Sequence, residues 1–302
     1  MPNYDDLFLT QPEEDNAEQL QPFDTDAFKE RKQRERTEAF ALIDSSAEEM
    51  KSTGELFKTY LDVQAHFDRY SVSNAILIAA QMPEATKLMD FDDWKKAGVS
   101  IKKGESAITI LKAGKEFERP DHSVGVYYNA AKVFDISQTT SRMKGVSTTQ
   151  LDERLLLKAL ITNAPCKMEV SDALSEHLNA LYDPEQKTIF VRRGLDGPTI
   201  FRSLSQELAH AHLDRGENNR SENSLTAYCA SYMLCKKYGI SVDTYTFEPM
   251  PEKFCQMETA DFRQELGKIR DAFKELHAEM TRNMDKMEPS EKPKKERTGD
   301  AR

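Results

Sequence analysis

The spacing of hydrophobic positions along this chain changes period several times, and each change predicts an element. Residues 25–53 are rich in strong helix formers with sparse apolar points at Phe28, Phe40 and Leu42, the pattern of a polar, partly exposed helix. From Glu55 to Tyr70, Phe57, Tyr60, Leu61, Gln64, Ala65 and Phe67 trace helical spacings and predict an amphipathic helix. Ser71 or Ser73 can cap a short apolar helix that runs to Gln81 and is stopped by Pro83. The period then shortens: Ala107 to Leu111 and Val124 to Phe134 read as strands, with Gly104 in a turn before the first.

A polar Ser/Thr-rich stretch, 140–150, reads as a linker to a second unit. That unit opens with a helix from Leu151 to Thr162, followed by a hairpin of Leu181-Tyr182 and Thr188 to Val191 around a turn at 183–186. Gly197-Pro198 starts a helix with Phe201, Leu204, Leu208 and Ala211 on one face, ending near Gly216. Another helix starts at Ser221 or Asn223 and stops at Gly239, and a last amphipathic helix spans Phe262 to Met284. The expected fold class is α+β, a small α+β domain over 54–139 followed by a second α+β domain over 151–285. Residues 1–24, acidic with three prolines, and 286–302, charged, are expected to be disordered tails.

Length and composition fit about two globular domains: 302 residues, 38% hydrophobic and 31% charged. No membrane association is expected, since the longest apolar run, Ala75 to Ala80, is far shorter than a span requires. The acidic start lacks the features of a secretory signal, so the cytoplasm is the expected location. Cys166, Cys229, Cys235 and Cys255 form no C-x-x-C pair and are expected to be buried small hydrophobes. The net charge of −10 is unevenly spread. Residues 1–50 hold 5 Lys/Arg against 14 Asp/Glu, whereas 51–145 hold 14 against 12. Within 95–115 six lysines (95, 96, 102, 103, 112 and 115) face only Glu105, a local patch able to meet phosphate.

Two constellations carry chemistry. Residues 91–134 interleave these lysines with Phe91, Trp94, Tyr127, Tyr128 and Phe134, and single strands bind through basic grooves and aromatic stacking faces. The same residues also suit a solvated lysine face over a core tryptophan. The second constellation is Gln206-Glu207-Leu208-Ala209-His210. A zincin helix places two histidines one turn apart on a metal, with a Glu beside the first as general base. Here the base, Glu207, and the second ligand, His210, are present, but the first ligand is an amide, which binds zinc poorly.

At these residues the chain resembles the ArdC-like antirestriction proteins of plasmids and conjugative elements, which join an N-terminal single-stranded-DNA-binding domain to a zincin-like domain related to the ImmA/IrrE peptidases. The resemblance covers about 54–285. It rests on Tyr70 to Ile78, Trp94 with Gly98, Lys102-Lys103-Gly104-Glu105 and Val133 to Thr139, and then on Glu207 to Ala211 and Ala227 to Gly239. It implies Lys95, Lys96, Lys102 and Lys103 as phosphate contacts and Tyr70, Asn74 and Trp94 as base or sugar contacts, although Asn74 can equally cap a turn. It also implies a zinc site that is incomplete here: the first ligand is Gln206, and the acidic third ligand aligns with Thr226. Glu222, one turn earlier, could substitute, with His212 or Asp214 nearby. The leading expectation is therefore a mobile-element DNA-binding accessory protein with an inactive zincin-like domain and no cofactor, in which Glu207 and His210 persist as a buried polar pair. A zinc peptidase acting on a regulatory or DNA-bound protein is the enzyme alternative. A protein-protein adaptor with a host or element-encoded partner, engaged through the degenerate fold or the acidic leader, is the third.

Overall fold

The computed structural model describes residues 24–141, 152–216 and 220–287. Nearly all of the expected acidic leader, linker and charged tail lies outside the described residues. Helix α1 (Thr25–Met50) is capped by Asp24, whose carboxylate accepts from the backbone N–H groups of Asp26 and Ala27. It buries only Ala39, Ile43, Ala47 and Met50, a single stripe on its C-terminal half. Helix α2 (Gly54–His66) buries Phe57, Tyr60, Leu61 and Gln64, as its spacing predicts. Of the two candidate serines, Ser71 caps α3 (Val72–Gln81).

Strand β1 (Leu88–Met89) leads into a short helix, α4 (Phe91–Lys96), capped by Asp90. The long hairpin of β2 (Ile108–Glu118) and β3 (Val124–Asp135) follows, in an antiparallel sheet of order β1-β3-β2 with a bulge between Ala113 and Glu116. The outer edge of β2 is an exposed ladder of backbone groups, a liability that sheets must cover. Two amides seven residues apart on α3 cover it. Asn74 donates to the Leu111 carbonyl at 2.9 Å and accepts from the Leu111 N–H at 2.8 Å. Gln81 does the same for Thr109, with both contacts at 2.9 Å.

The second half begins with α5 (Glu153–Ile161) and a three-stranded sheet of β4 (Lys167–Ser171), β5 (Ala180–Asp183) and β6 (Thr188–Arg192). The expected hairpin pairs β5 with β6, while β4 adds in parallel to the other side of β6. Helices α6 (Gly197–Leu213), α7 (Arg220–Tyr238), α8 (Glu252–Gln256) and α9 (Thr259–Met287) complete the chain. Gly239, at φ 72°, supplies the left-handed residue that ends α7. The class is α+β, as the sequence predicts. Cys229 and Cys235 are buried, but Cys166 is half-buried and Cys255 exposed, which corrects the expectation for those two.

The halves share one hydrophobic core, with α2 packed on α7. Phe57 meets Phe247, Phe254 and Phe262 with ring centroids 5.6, 6.0 and 6.3 Å apart. At the start of α2 the backbone comes so close to 247–248 that a Cβ on Gly54 would lie 2.2 Å from the Phe247 carbonyl oxygen. Only glycine fits there. The Gly54 N–H then donates to the Glu248 carboxylate at 2.6 Å. No described helix is long and apolar enough to cross a membrane.

Replacing Asn74 with Ala strips both buried Leu111 backbone groups of their partners. Asn74→Ala is expected to lower the unfolding free energy by roughly 1–3 kcal/mol in a urea titration, whereas Ser45→Ala on the exposed face of α1 should change it by under about 0.5 kcal/mol.

Candidate functional site

The five-residue window on α6 is positioned from both ends. Asp196 caps the helix through the Thr199 N–H, Pro198 sits in its first turn, and Phe201, Leu204 and Leu208 anchor one face in the core. This turns Glu207, 4% exposed, and His210, 5% exposed, toward the interior. A buried carboxylate must be paired or protonated. Glu207 is paired with Arg220, the first residue of α7, through two parallel hydrogen bonds of 2.7 and 2.8 Å. The Tyr182 N–H of β5 donates a third at 2.7 Å. Both carboxylate oxygens are therefore engaged by a fork-to-fork ion pair.

His210 feels the same cation. Burial pushes its imidazole pKa down to about 4, the Arg220 charge adds to that, and Glu207 partly opposes it. The ring is thus a neutral group beside a guanidinium.

The remaining metal candidates point elsewhere. Gln206, Thr226 and Glu222 line an open cavity of about 630 Å³ between α6, α7 and α8, together with Tyr228, Lys253 and Phe254. His212 lies 3.4 Å from Glu275 and 3.3 Å from Glu279 of α9. Asp214 accepts from the Tyr182 hydroxyl at 2.9 Å. Zinc needs about four clustered donors, with histidine neutral and carboxylates free to bind. Here one imidazole lies beside an arginine charge, the adjacent carboxylate is already held by that guanidinium and a backbone N–H, and Gln206 and Thr226 offer only neutral oxygen donors. Among the described residues no three His, Cys, Asp or Glu side chains are grouped so as to hold a metal. The donor set does not fit zinc.

In the first half the structure separates surface candidates from core ones. Lys95, Lys96, Lys102 and Lys103 are all exposed, the two pairs lying on either side of residues 97–101. Lys96 is paired with Asp93, and the Lys102 ammonium donates to the Ser137 carbonyl. Trp94 and Asn74 are not surface groups. Trp94 is 2% exposed and its indole N–H donates to the Phe134 carbonyl at 2.9 Å, while the Asn74 amide is spent on Leu111. Stacking on a base would require Trp94 to leave the core, so of the three expected base or sugar contacts Trp94 and Asn74 are buried in this fold. Tyr70 is half-buried against Phe67, and its carbonyl accepts from Arg270. Within 91–134 the rings that face solvent most are Phe91, Tyr127 and Tyr128, at 56, 45 and 43% exposure.

A family model described as the N-terminal domain of anti-restriction factor ArdC matches residues 43–145. That segment of the chain is ArdC-like. The crystal structure of antirestriction ArdC protein from R388 plasmid in its metal-free form superimposes at a TM-score of 0.50 with 17% identity, covering 72% of this chain and 86% of that one. Its Mn(II)-bound structure gives 0.49 and 18%, over 71% and 85%. A search of curated proteins finds no match. The ArdC-like segment holds the exposed lysines and tyrosines described above, whereas the Glu207–Arg220 pair lies outside it.

Sequence spacing did not reveal Arg220, because the i, i+4 rule examines one helix and Arg220 belongs to the next. A signal existed: a cation in the first turn of a helix opposes the helix dipole and calls for an anionic partner. Because the folded pKa of His210 lies below its unfolded value, its contribution to stability is present above about pH 6.5 and is lost as pH falls toward 4. Arg220→Met is expected to move the imidazole titration, followed by NMR, up from about 4 toward 6.5. An unchanged midpoint would leave burial as the whole cause.

Proposed function

We propose that the protein is a single-stranded-DNA-binding accessory factor of the antirestriction type, acting in the cytoplasm, whose zincin-like half has lost peptidase chemistry. The observation that carries this reading is the ArdC N-terminal domain match over 43–145, the same segment in which exposed lysines and tyrosines occur together. Lys95, Lys96, Lys102 and Lys103 serve as phosphate contacts on this reading, and the domain of 54–139 acts as the binding unit with 151–285 as its scaffold. The pairing of Glu207 supports the loss of hydrolysis. A general base must take up a proton, and three hydrogen bonds, two of them from a permanently charged guanidinium, favour the unprotonated form of this carboxylate. One observation favours a second role beside the first: the cavity of about 630 Å³ at Gln206 and Thr226 is large enough to take a side chain or short peptide from a protein partner.

Fluorescence anisotropy with labelled oligo(dT) at low salt tests the reading. Binding that weakens as salt rises is expected, with Lys102→Glu/Lys103→Glu lowering affinity about tenfold or more. No binding at low salt, or a double variant with unaltered affinity, contradicts it. Hydrolysis of a denatured protein substrate that disappears in Glu207→Gln contradicts the loss of peptidase chemistry.

A further inference from the structure

The C-terminal sheet runs β4-β6-β5, and its two outer edges differ. On the β5 side the Tyr182 N–H donates to Glu207 of α6, which covers that edge. On the β4 side no described residue bonds to the outer backbone of the strand. Which groups point outward follows from the ladder. The Lys167 N–H donates to the Lys187 carbonyl just before β6 at 3.0 Å, and the strands stay in register from Lys167 opposite Thr188 to Ser171 opposite Arg192. Alternate residues of a ladder turn their backbone groups to the same neighbour, so Lys167, Glu169 and Ser171 bond to β6 while Met168 and Val170 present N–H and C=O outward. Val170 also leaves its side chain 60% exposed. An open edge of this kind is a template for another strand.

The charges on β4 select the strand that fits. Lys167 and Glu169 are exposed, two residues apart on one face, and neither forms an ion pair among the described residues. A second copy of β4 can lie antiparallel along this edge about a two-fold axis. Hydrogen bonding then requires outward residues to face outward residues, so the possible registers differ by steps of two. Centred on Lys167, the pairing opposes lysine to lysine, and centred on Glu169 it opposes glutamate to glutamate. Centred on Val170, it leaves Lys167 without a counterpart in the strand. Centred on Met168, Lys167 of each copy faces Glu169 of the other, Met168 faces its twin, and Val170 faces Cys166. In that register the charged pairs fall at the positions without hydrogen bonds, where opposing side chains come closest.

We infer that the open edge of β4 is a docking surface for a second copy of this chain, joined about a two-fold axis at Met168 into one six-stranded sheet. Main-chain hydrogen bonds supply the attraction, and the Lys167–Glu169 pairs supply the register. The same charges oppose the shifted pairings by which open edges aggregate. This inference is independent of the DNA-binding reading.

Sedimentation velocity of the full chain over rising concentration tests it. The wild type is expected to pass from one chain per particle to two. Glu169→Lys sets lysine against lysine twice and is expected to weaken the dimer about tenfold or more, and Lys167→Glu/Glu169→Lys is expected to restore it. Both residues are exposed, so each variant is expected to unfold at the wild-type temperature. Val170→Cys reads the register separately. Residues facing each other at a hydrogen-bonded position lie about 5.5 Å apart between Cα atoms, within reach of a disulfide. Oxidation with copper phenanthroline is expected to link the new thiol to Cys166 of the second copy, giving a doubled mass on a non-reducing gel that Val170→Cys/Cys166→Ala does not form. A wild type that stays monomeric at every concentration overturns the inference. So does a dimer that Glu169→Lys leaves intact or that the charge-swapped variant fails to restore, and so does a cross-link that survives Cys166→Ala.

Discussion

A single buried carboxylate sets the character of the C-terminal half. Glu207 sits on a helix whose other face is anchored in the core, so it cannot turn to water, and an unpaired charge at that depth would cost several kcal/mol. Arg220 and the Tyr182 backbone resolve the problem with three hydrogen bonds. Through them α6 is tied both to the start of α7 and to the edge of β5, and the helix bearing the Q-E-L-A-H window is fixed between sheet and helix. The arrangement also places a permanent positive charge beside the two residues, Glu207 and His210, that the expected zincin pattern would assign to metal chemistry. A guanidinium is not a Lewis acid and holds no water to activate.

The same economy of pairing recurs in the N-terminal half, with neutral groups instead of charges. The open edge of β2 is closed by the Asn74 and Gln81 amides, and α2 is wedged against the C-terminal aromatic cluster by the close approach at Gly54. Core hydrogen bonding thus absorbs Asn74 and Trp94, two residues whose chemistry would otherwise suit nucleic acid. What stays at the surface is the set of lysines at 95, 96, 102 and 103 and the tyrosines of the hairpin.

Much of the fold is legible in the chain because its signals are local. Ser71, Pro83, the Gly197-Pro198 helix start and Gly239 act on their own neighbours, and each marks the boundary expected. Strand β4 was not legible: Lys167-Met168-Glu169-Val170-Ser171 exposes polar and apolar residues alike, and it becomes a strand by parallel pairing with β6, which no local pattern encodes. Helix α4 is too short to show a period. At the site, Gln206 and Thr226 stand out in sequence only against the zincin pattern that the resemblance leads one to expect. The ion pair that occupies Glu207 is not, since its partner lies in the next helix.

The account turns on the claim that Arg220, and not a metal ion, is the cation of the Glu207–His210 site. Elemental analysis of the purified full chain, after incubation with zinc and removal of excess by gel filtration, addresses it directly. The account predicts substoichiometric zinc, with the same amount in His210→Ala. One zinc per chain, lost in His210→Ala, would contradict it.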